Sequence, residues 1–201
     1  MKRIGLFGGS FNPVHLGHTA LAAYVCEQRM VDEVWMMVSP QNPLKQNLEL
    51  LDEQRRLAMM QLAVAPYPAL KACDFEFHLP RPSYTYHTLQ ALRAAYPDYA
   101  FSLIIGEDNW QHFHRWYRGD DILRETPIIV YPRDSVEGLE LRVEGAIQTG
   151  NIAEPPPQPS TLRLFPYSST EVRAALAEGR DVSTMLHPDV AAYIKQHGLY
   201  V

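Results

Sequence analysis

Two histidines in a glycine-rich stretch near the start of the chain could bind a phosphate group. The stretch reads GGSFNPVHLGH over residues 8–18, between an apolar run and a helical pattern, which predicts a strand, a turn and a helix start. Free N–H groups at a helix start suit an anion, and glycines allow its close approach to the backbone. His15 and His18 are three residues apart and can face the same ligand. The alternative is a glycine-rich turn whose histidines are incidental.

The stretch differs from the common nucleotide-binding loops. The chain contains neither G-x-x-x-x-G-K-[ST] nor G-x-G-x-x-G, so the P-loop and the dinucleotide fingerprint are both absent. In a phosphate site of this kind, the histidines would replace the P-loop lysine as donors.

A second candidate anion site lies near the end of the chain. Ser168 and Glu171 have the spacing of a capping box, which predicts a helix start with exposed N–H groups. Arg173 follows on the first turn, where its guanidinium could hold a phosphate in a forked geometry. Taken alone, the motif also fits a well-capped helix with a solvated arginine.

Strands and helices alternate along the chain, which predicts one α/β domain over residues 1–201, with a Rossmann-like, doubly wound parallel sheet and C-terminal helices. The predicted strands cover residues 2–7, 34–38, 70–73, 100–105, 126–131 and 162–165, and 74–78 could extend the third. The predicted helices cover residues 17–30, 53–65, 85–95, 170–178 and 188–197, with a short one after residue 106, and Asp52 is the candidate N-cap of the second. Residues 134–160 read as an irregular, proline-rich surface insert.

The polar loops of this arrangement all follow strands. They cover residues 8–18, 39–45, 106–116, 132–133 and 166–170. Ligands of such sheets bind at the carboxyl ends of the strands, near a switch in strand order, so we expect these loops to converge there.

Composition narrows the class of protein. A net charge of −5 without a long basic run argues against a non-specific nucleic-acid binder, although a local positive patch would suffice for a mononucleotide. The sequence has no signal peptide and no membrane-spanning run, and its two cysteines are far apart, so we expect a cytoplasmic protein with buried free thiols. A homo-oligomer remains an open option.

The stretch over residues 8–18 resembles the signature of the nucleotidyltransferase superfamily, whose T/H-x-G-H motif binds ATP phosphates. Three further segments resemble the nicotinate mononucleotide adenylyltransferases: PSYTYHTL at 82–89, IGEDNW at 105–110 with a tryptophan at 116, and PYSSTEVR at 166–173. The segment NPLK at 42–45 resembles a lysine motif of the same family, with its histidine missing.

The resemblance implies roles for individual residues. The catalytic residues would be His15, His18, Arg173 and Lys45. ATP would contact Gly8, Gly9, Ser10, Phe11, Gly106, Asp108, Ser168, Ser169 and Thr170. Nicotinate mononucleotide would contact Asn12, Ser83, Tyr84, Thr85, Trp116 and Arg133. An exposed loop lysine, a solvated loop arginine and a packed tryptophan are the alternatives at 45, 133 and 116.

The implied reaction joins ATP and nicotinate mononucleotide into deamido-NAD and pyrophosphate, with Mg²⁺ on the phosphates. The mononucleotide phosphate would attack in line, without a covalent intermediate, and no general base is required. Two rivals remain: an enzyme that prefers nicotinamide mononucleotide, and a regulatory nucleotide-binding module without catalysis. Ser10 and Asn12 stand where the family more often has threonine and aspartate.

Overall fold

The computed structural model describes residues 1–40, 50–132, 141–145 and 167–201. The strands are β1 (Lys2–Gly9), β2 (Glu33–Val38), β3 (Leu70–Cys73), β4 (Tyr99–Gly106), β5 (Pro127–Tyr131) and β6 (Arg142–Gly145). The helices are α1 (Leu16–Glu27), α2 (Glu53–Val64), α3 (Thr85–Ala95), α4 (Glu107–Gln111), α5 (Gly119–Glu125), α6 (Ser169–Ala177) and α7 (Pro188–His197). Single 3₁₀ turns cover Phe75–His78 and Phe113–Arg115. Among these residues, no helix combines the length and the apolar character needed to cross a membrane.

The strands form one sheet in the order β3-β2-β1-β4-β5-β6. All neighbours from β3 to β5 are parallel, and Leu6 of β1 lies between Trp35 of β2 and Leu103 of β4. The chain builds the sheet outward from β1 to β3 and then returns to the other side of β1. The switch in strand order therefore lies between β1 and β4, where their carboxyl ends open a crevice.

Two apolar cores cover the two faces of the sheet, as predicted for a doubly wound fold. Side chains alternate along β1, so that Ile4 and Leu6 pack on one face and Phe7 packs on the other. The first face is covered by α3 and α5, through Leu89 and Ile122 among others. Residues of α1, α2, α6 and α7 cover the second face. Burial of each large side chain contributes about 1.5–3 kcal/mol, so both cores stabilise the sheet whose carboxyl ends form the crevice.

The edge strand β6 corrects the prediction of an irregular insert. It pairs antiparallel with β5, with Ile128 opposite Glu144. Gly145 at its end has a φ of +82°, and a Cβ there would lie 2.8 Å from the Leu123 carbonyl oxygen, so only glycine fits without strain. The short polar run escaped prediction because an exposed edge strand needs little apolar sequence. The strand predicted at 162–165 lies outside the described residues.

Other predictions of local structure were confirmed or corrected at single residues. Asp52 caps α2 as predicted, since its Oδ1 accepts from the N–H groups of Gln54 and Arg55 at 3.0 and 3.3 Å. The extension of β3 over 74–78 was wrong, because this segment is a 3₁₀ turn. The first helix ends at Glu27, three residues before the predicted end, and Arg29 beyond it has a φ of +56°. Helix α5 was not predicted.

Both cysteines are free thiols, as expected, but each is half-buried where full burial was expected. Burial raises the pKa of Cys26 to about 11 and that of Cys73 to about 11.

Candidate active site

The backbone after β1 is open to a ligand. Gly8 is exposed, and a Cβ added to it would meet nothing within 4 Å. Gly9 is covered instead, because the Phe11 ring lies 3.1 Å from the position of its missing Cβ. Phe11 itself has a φ of +44°, which turns the chain sharply toward α1. The glycine pair therefore gives a close approach on one side and room for a packed aromatic ring on the other.

His15 and His18 form a stacked pair at the start of α1. Their ring centroids are 3.6 Å apart with an interplanar angle of 28°. His15 is the N-cap residue and is buried, with 7% of its surface exposed. Its backbone N–H donates to Nδ1 of His18 at 3.2 Å, in the manner of a capping box. A neutral His18 therefore carries its proton on Nε2, which makes that atom a donor.

The start of α6 is joined to the loop after β1. Nη1 of Arg173 donates to the Asn12 carbonyl oxygen at 2.8 Å, and Nη2 donates to the Thr170 hydroxyl at 3.3 Å. The Ser169 hydroxyl donates to the Pro13 carbonyl oxygen at 2.9 Å. These contacts bring Arg173 and the start of α6 to the histidine pair, although the two motifs are far apart in sequence.

The predicted capping box of α6 is confirmed. The Ser168 hydroxyl accepts from the Glu171 N–H at 3.2 Å, while the Glu171 carboxylate accepts from the Ser168 N–H at 2.6 Å. Hydrogen bonds from the Ser168 backbone and hydroxyl lower the pKa of Glu171. The Ser168 and Ser169 hydroxyls thus bond within the protein, and the first-turn N–H groups of α6 are the donors suited to an anion.

Asn12 accepts hydrogen bonds at both its side-chain and its backbone oxygen. Its Oδ1 accepts from the Tyr200 hydroxyl at 2.7 Å and from the Leu51 N–H at 3.3 Å, and only 5% of the residue is exposed. Arg173 holds its carbonyl oxygen. These contacts give Asn12 the task of shaping the loop, in addition to any contact with a substrate.

A second group of predicted residues meets on the opposite face of the sheet. Tyr84 is the N-cap residue of α3, and Thr85 is its first residue. The ring of Tyr117 lies 5.2 Å from that of Tyr84, which brings Trp116 close to the start of α3. In the described part of the chain, the Ser83 hydroxyl and the indole N–H of Trp116 are buried without a hydrogen-bond partner. Buried polar atoms of this kind are suited to a ligand.

The carboxyl end of β2 connects the loop after β1 with the start of α3. The Ser39 N–H donates to the Gly9 carbonyl oxygen at 2.9 Å. The Glu76 carboxylate accepts hydrogen bonds from Ser39 and Thr88, the latter at 2.9 Å, and Thr88 in turn contacts the Tyr84 carbonyl oxygen. Burial raises the pKa of Glu76, because the low-polarity surroundings disfavour its charged form.

The loop after β4 places the remaining predicted residues. Gly106 is buried as the N-cap of α4, and Asp108 is exposed on that helix. The Asp108 carbonyl oxygen contacts Nδ1 of His112 at 2.8 Å, and Arg142 of β6 forms a 2.9 Å ion pair with Glu107. The edge strand therefore braces this loop. Lys45 and Arg133 lie outside the described residues, so their predicted contacts stay predictions.

The notable polar residues near the site that were not predicted are the buried Arg56 and Glu76 and the half-buried Tyr200. Arg56 had a sequence signal, because it lies on the helical stripe of Met60 and Ala63, where an apolar residue is the norm. Glu76 and Tyr200 had no signal, since their burial depends on elements distant in sequence.

Comparisons with known proteins agree with this geometry. The cytidylyltransferase-like family model matches residues 6–175. A Bacteroides thetaiotaomicron protein named "probable nicotinate-nucleotide adenylyltransferase" is 48% identical over 195 residues, covering 97% of this chain and 92% of its own. A Flavobacterium johnsoniae protein of the same name is 40% identical over 200 residues, covering 98% of both. Plasmodium falciparum nicotinic acid mononucleotide adenylyltransferase complexed with NaAD has the same fold, with a TM-score of 0.73, 21% identity and coverage of 100% and 98%.

Proposed function

Because the chain belongs to the cytidylyltransferase-like family, and within it to the nicotinate-nucleotide adenylyltransferases, we propose that it joins ATP and nicotinate mononucleotide into deamido-NAD. The observation that carries the proposal is the stacked pair of His15 and His18, 3.6 Å apart, with Arg173 bonded to the same loop. Three donors for phosphate oxygens are gathered at the crevice where ligands of this fold bind.

The reaction is a direct in-line displacement. A phosphate oxygen of nicotinate mononucleotide forms a bond to the α-phosphorus of ATP, while the bond from that phosphorus to the bridging oxygen breaks. Pyrophosphate leaves with the electron pair. The attacking oxygen is already ionised near neutral pH, so no residue has to remove a proton. Catalysis then consists of positioning and charge stabilisation.

His15, His18 and Arg173 supply this stabilisation. Nε2–H is the donor that a neutral His18 presents to a phosphate, because its Nδ1 accepts from the His15 N–H. Arg173 adds a positive charge close to the loop, and the exposed backbone at Gly8 lets the triphosphate approach. Donors fixed before the reaction stabilise the developing charge without reorganisation.

The second substrate binds at the start of α3. Thr85 and the first-turn N–H groups of α3 face the nicotinate carboxylate, and the Trp116 ring stacks on the pyridine. The unpartnered hydroxyl of Ser83 supports this assignment, because a bound carboxylate or ribose would give it a partner. Asp108 accepts from ribose hydroxyls, and Lys45 and Arg133 hold phosphates.

Magnesium would arrive on the phosphates of ATP. Among the described residues, no group of three or more His, Cys, Asp or Glu side chains is arranged to hold a metal ion. Mg²⁺ keeps several waters and needs few protein ligands when phosphates bind it. The ion would neutralise charge on the phosphates, and the protein residues hold the oxygens that it leaves free.

The deciding experiment measures pyrophosphate release from ATP and Mg²⁺ with three separate acceptors: nicotinate mononucleotide, nicotinamide mononucleotide and phosphopantetheine. We expect a strong preference for the nicotinate acceptor. Turnover with another acceptor would refute the assignment of the second substrate and leave the phosphate chemistry of His15 and His18 standing. ATP binding without turnover on any acceptor would favour a regulatory nucleotide-binding module.

A further inference from the structure

Arg56 is a buried cation bonded to backbone carbonyl groups. It lies near the start of α2, with 1% of its surface exposed. Its Nε donates to the Leu51 carbonyl oxygen at 2.7 Å, and Nη1 donates to those of Ser10 and Ser39 at 2.6 and 2.8 Å. A fourth bond runs from Nη2 to Pro40 at 3.3 Å.

The carbonyl groups that Arg56 holds belong to the two loops that border the site. Ser10 directly follows β1, beside the open backbone at Gly8. Ser39 and Pro40 directly follow β2. A single planar guanidinium therefore joins the carboxyl ends of two neighbouring strands to the start of α2, which a single neutral amide could not do with two N–H donors.

The charge of Arg56 also remains uncompensated at contact distance. In the part of the chain that the structure describes, no carboxylate forms an ion pair with Arg56, which donates instead to backbone carbonyl oxygens. Burial lowers the pKa of Arg56, but an arginine side chain stays protonated in proteins. The carboxylates of Glu53 and Asp52 favour this charge from beyond ion-pair distance. Because a buried charge is costly, an anionic ligand nearby would add to that compensation.

We propose that Arg56 is a positioning residue for the substrate phosphates. It sets the backbone of the loop after β1, from Gly8 to Asn12, at the distance that the triphosphate needs, and its charge adds to the attraction for anions. This inference rests on the proposed adenylyl transfer. It differs from a purely structural brace, because a brace would change stability and leave the kinetic constants of the folded protein unchanged.

The test compares Arg56→Lys and Arg56→Met with matched variants of Arg93. Arg93 also bridges separate elements, donating to the Glu125 carboxylate at 2.8 Å, its carbonyl oxygen at 2.9 Å and the Thr126 hydroxyl at 2.5 Å. It serves as the control because those partners precede β5, at the amino edge of the sheet and away from the site. The full chain is used, at temperatures where each variant is folded by circular dichroism.

We expect Arg56→Lys to keep a low KM for ATP but to lose about 10²-fold in kcat, since a displacement of about 1 Å has that effect. Arg56→Met should in addition raise the KM for ATP about 10-fold and weaken its dependence on salt, because the charge is gone. Arg93→Lys and Arg93→Met should lower the melting temperature with kcat unchanged. A folded Arg56→Lys with wild-type kcat and KM would overturn the proposal.

A measurement on the wild-type protein covers the case in which both Arg56 variants fail to fold. The ¹H–¹⁵N resonance of the Arg56 Nε–H group is followed while a non-hydrolysable ATP analogue is added. We expect it to shift at saturation, and an unchanged resonance would overturn the proposal. Wild-type protein without turnover on any acceptor would instead refute the proposed function, so the two failures are distinguishable.

Discussion

Replacement of His18 by asparagine separates the two tasks that the structure gives to this imidazole. Nδ1 of His18 accepts from the His15 N–H at 3.2 Å, which caps α1. The oxygen of an asparagine occupies nearly the same position and can accept the same hydrogen bond. Asparagine has no counterpart of the Nε2–H, the group proposed to donate to a phosphate. The substitution therefore keeps the cap and removes the catalytic donor.

The two effects have different sizes. Loss of one donor to a developing negative charge costs about 2.7–4 kcal/mol, or about 10²–10³-fold in kcat. The ring contacts of His18 with His15, at 3.6 Å, and with Phe11, at 4.9 Å, contribute to stability. Their loss costs about 0.5–1.5 kcal/mol for an aromatic pair, which corresponds to a fall of a few degrees in the melting temperature. His18→Ala should lose the cap as well, at about 1 kcal/mol more.

The assay is pyrophosphate release at saturating ATP and nicotinate mononucleotide, together with thermal unfolding of the same samples. His187→Asn is the matched control, because Nδ1 of His187 also accepts from a backbone N–H at a helix start, that of Asp189 at 3.3 Å. The control should retain full turnover. If His18→Asn is folded and turns over within about threefold of the wild type, less than the 10²-fold loss expected for one donor, then Nε2 donates to no reacting phosphate.

Three further predictions concern stability and reactivity. Tyr200→Phe removes the donor to Asn12 and should lower the free energy of unfolding in urea by about 1 kcal/mol, without changing its dependence on urea concentration. An unchanged free energy of unfolding would mean that this hydrogen bond contributes nothing. Burial raises the pKa of Glu76, so the wild type loses stability through the ionisation of Glu76 as the pH rises above the ordinary pKa of 4.5. The melting temperature of Glu76→Gln minus that of the wild type should therefore increase from pH 4 to pH 8. A difference that does not change with pH would contradict this. Because the pKa values of Cys26 and Cys73 are raised to about 11, iodoacetamide at pH 8 should alkylate them far faster after unfolding, and equal rates would refute their burial.

Local sequence signals predicted most of the elements correctly. The cap at Asp52, the capping box at Ser168 and the helix Pro188–His197 depend on neighbouring residues alone, and the structure has them where they were predicted. The errors arose where tertiary contacts decided the outcome. Residues 74–78 turn as a 3₁₀ helix because Glu76 is bonded to Thr88 of α3, and no local pattern encodes that contact.

The candidate site also combines contacts that local sequence predicts with contacts that depend on tertiary packing. The pairing of His15 with His18 could be predicted, since residues three apart at a helix start face one side. The contact of Arg173 with the Asn12 carbonyl oxygen at 2.8 Å was not predicted, because it depends on how α6 packs against the first loop. Tyr200 was missed altogether, as it reaches Asn12 only after α7 has packed on α2.

The sequence by itself determined the chemistry that is available. It specified the glycine pair, the histidines, the capped helix starts and the alternation of strands and helices, because each depends on side-chain type and short-range spacing. Only the tertiary structure decided which polar groups lie around one crevice and which are used to hold it. Ser10, Ser39 and Leu51 come together through the buried guanidinium of Arg56, and that arrangement exists only once β1, β2 and α2 have packed. Long-range contacts of this kind depend on the burial of whole faces, which no local pattern of residues encodes.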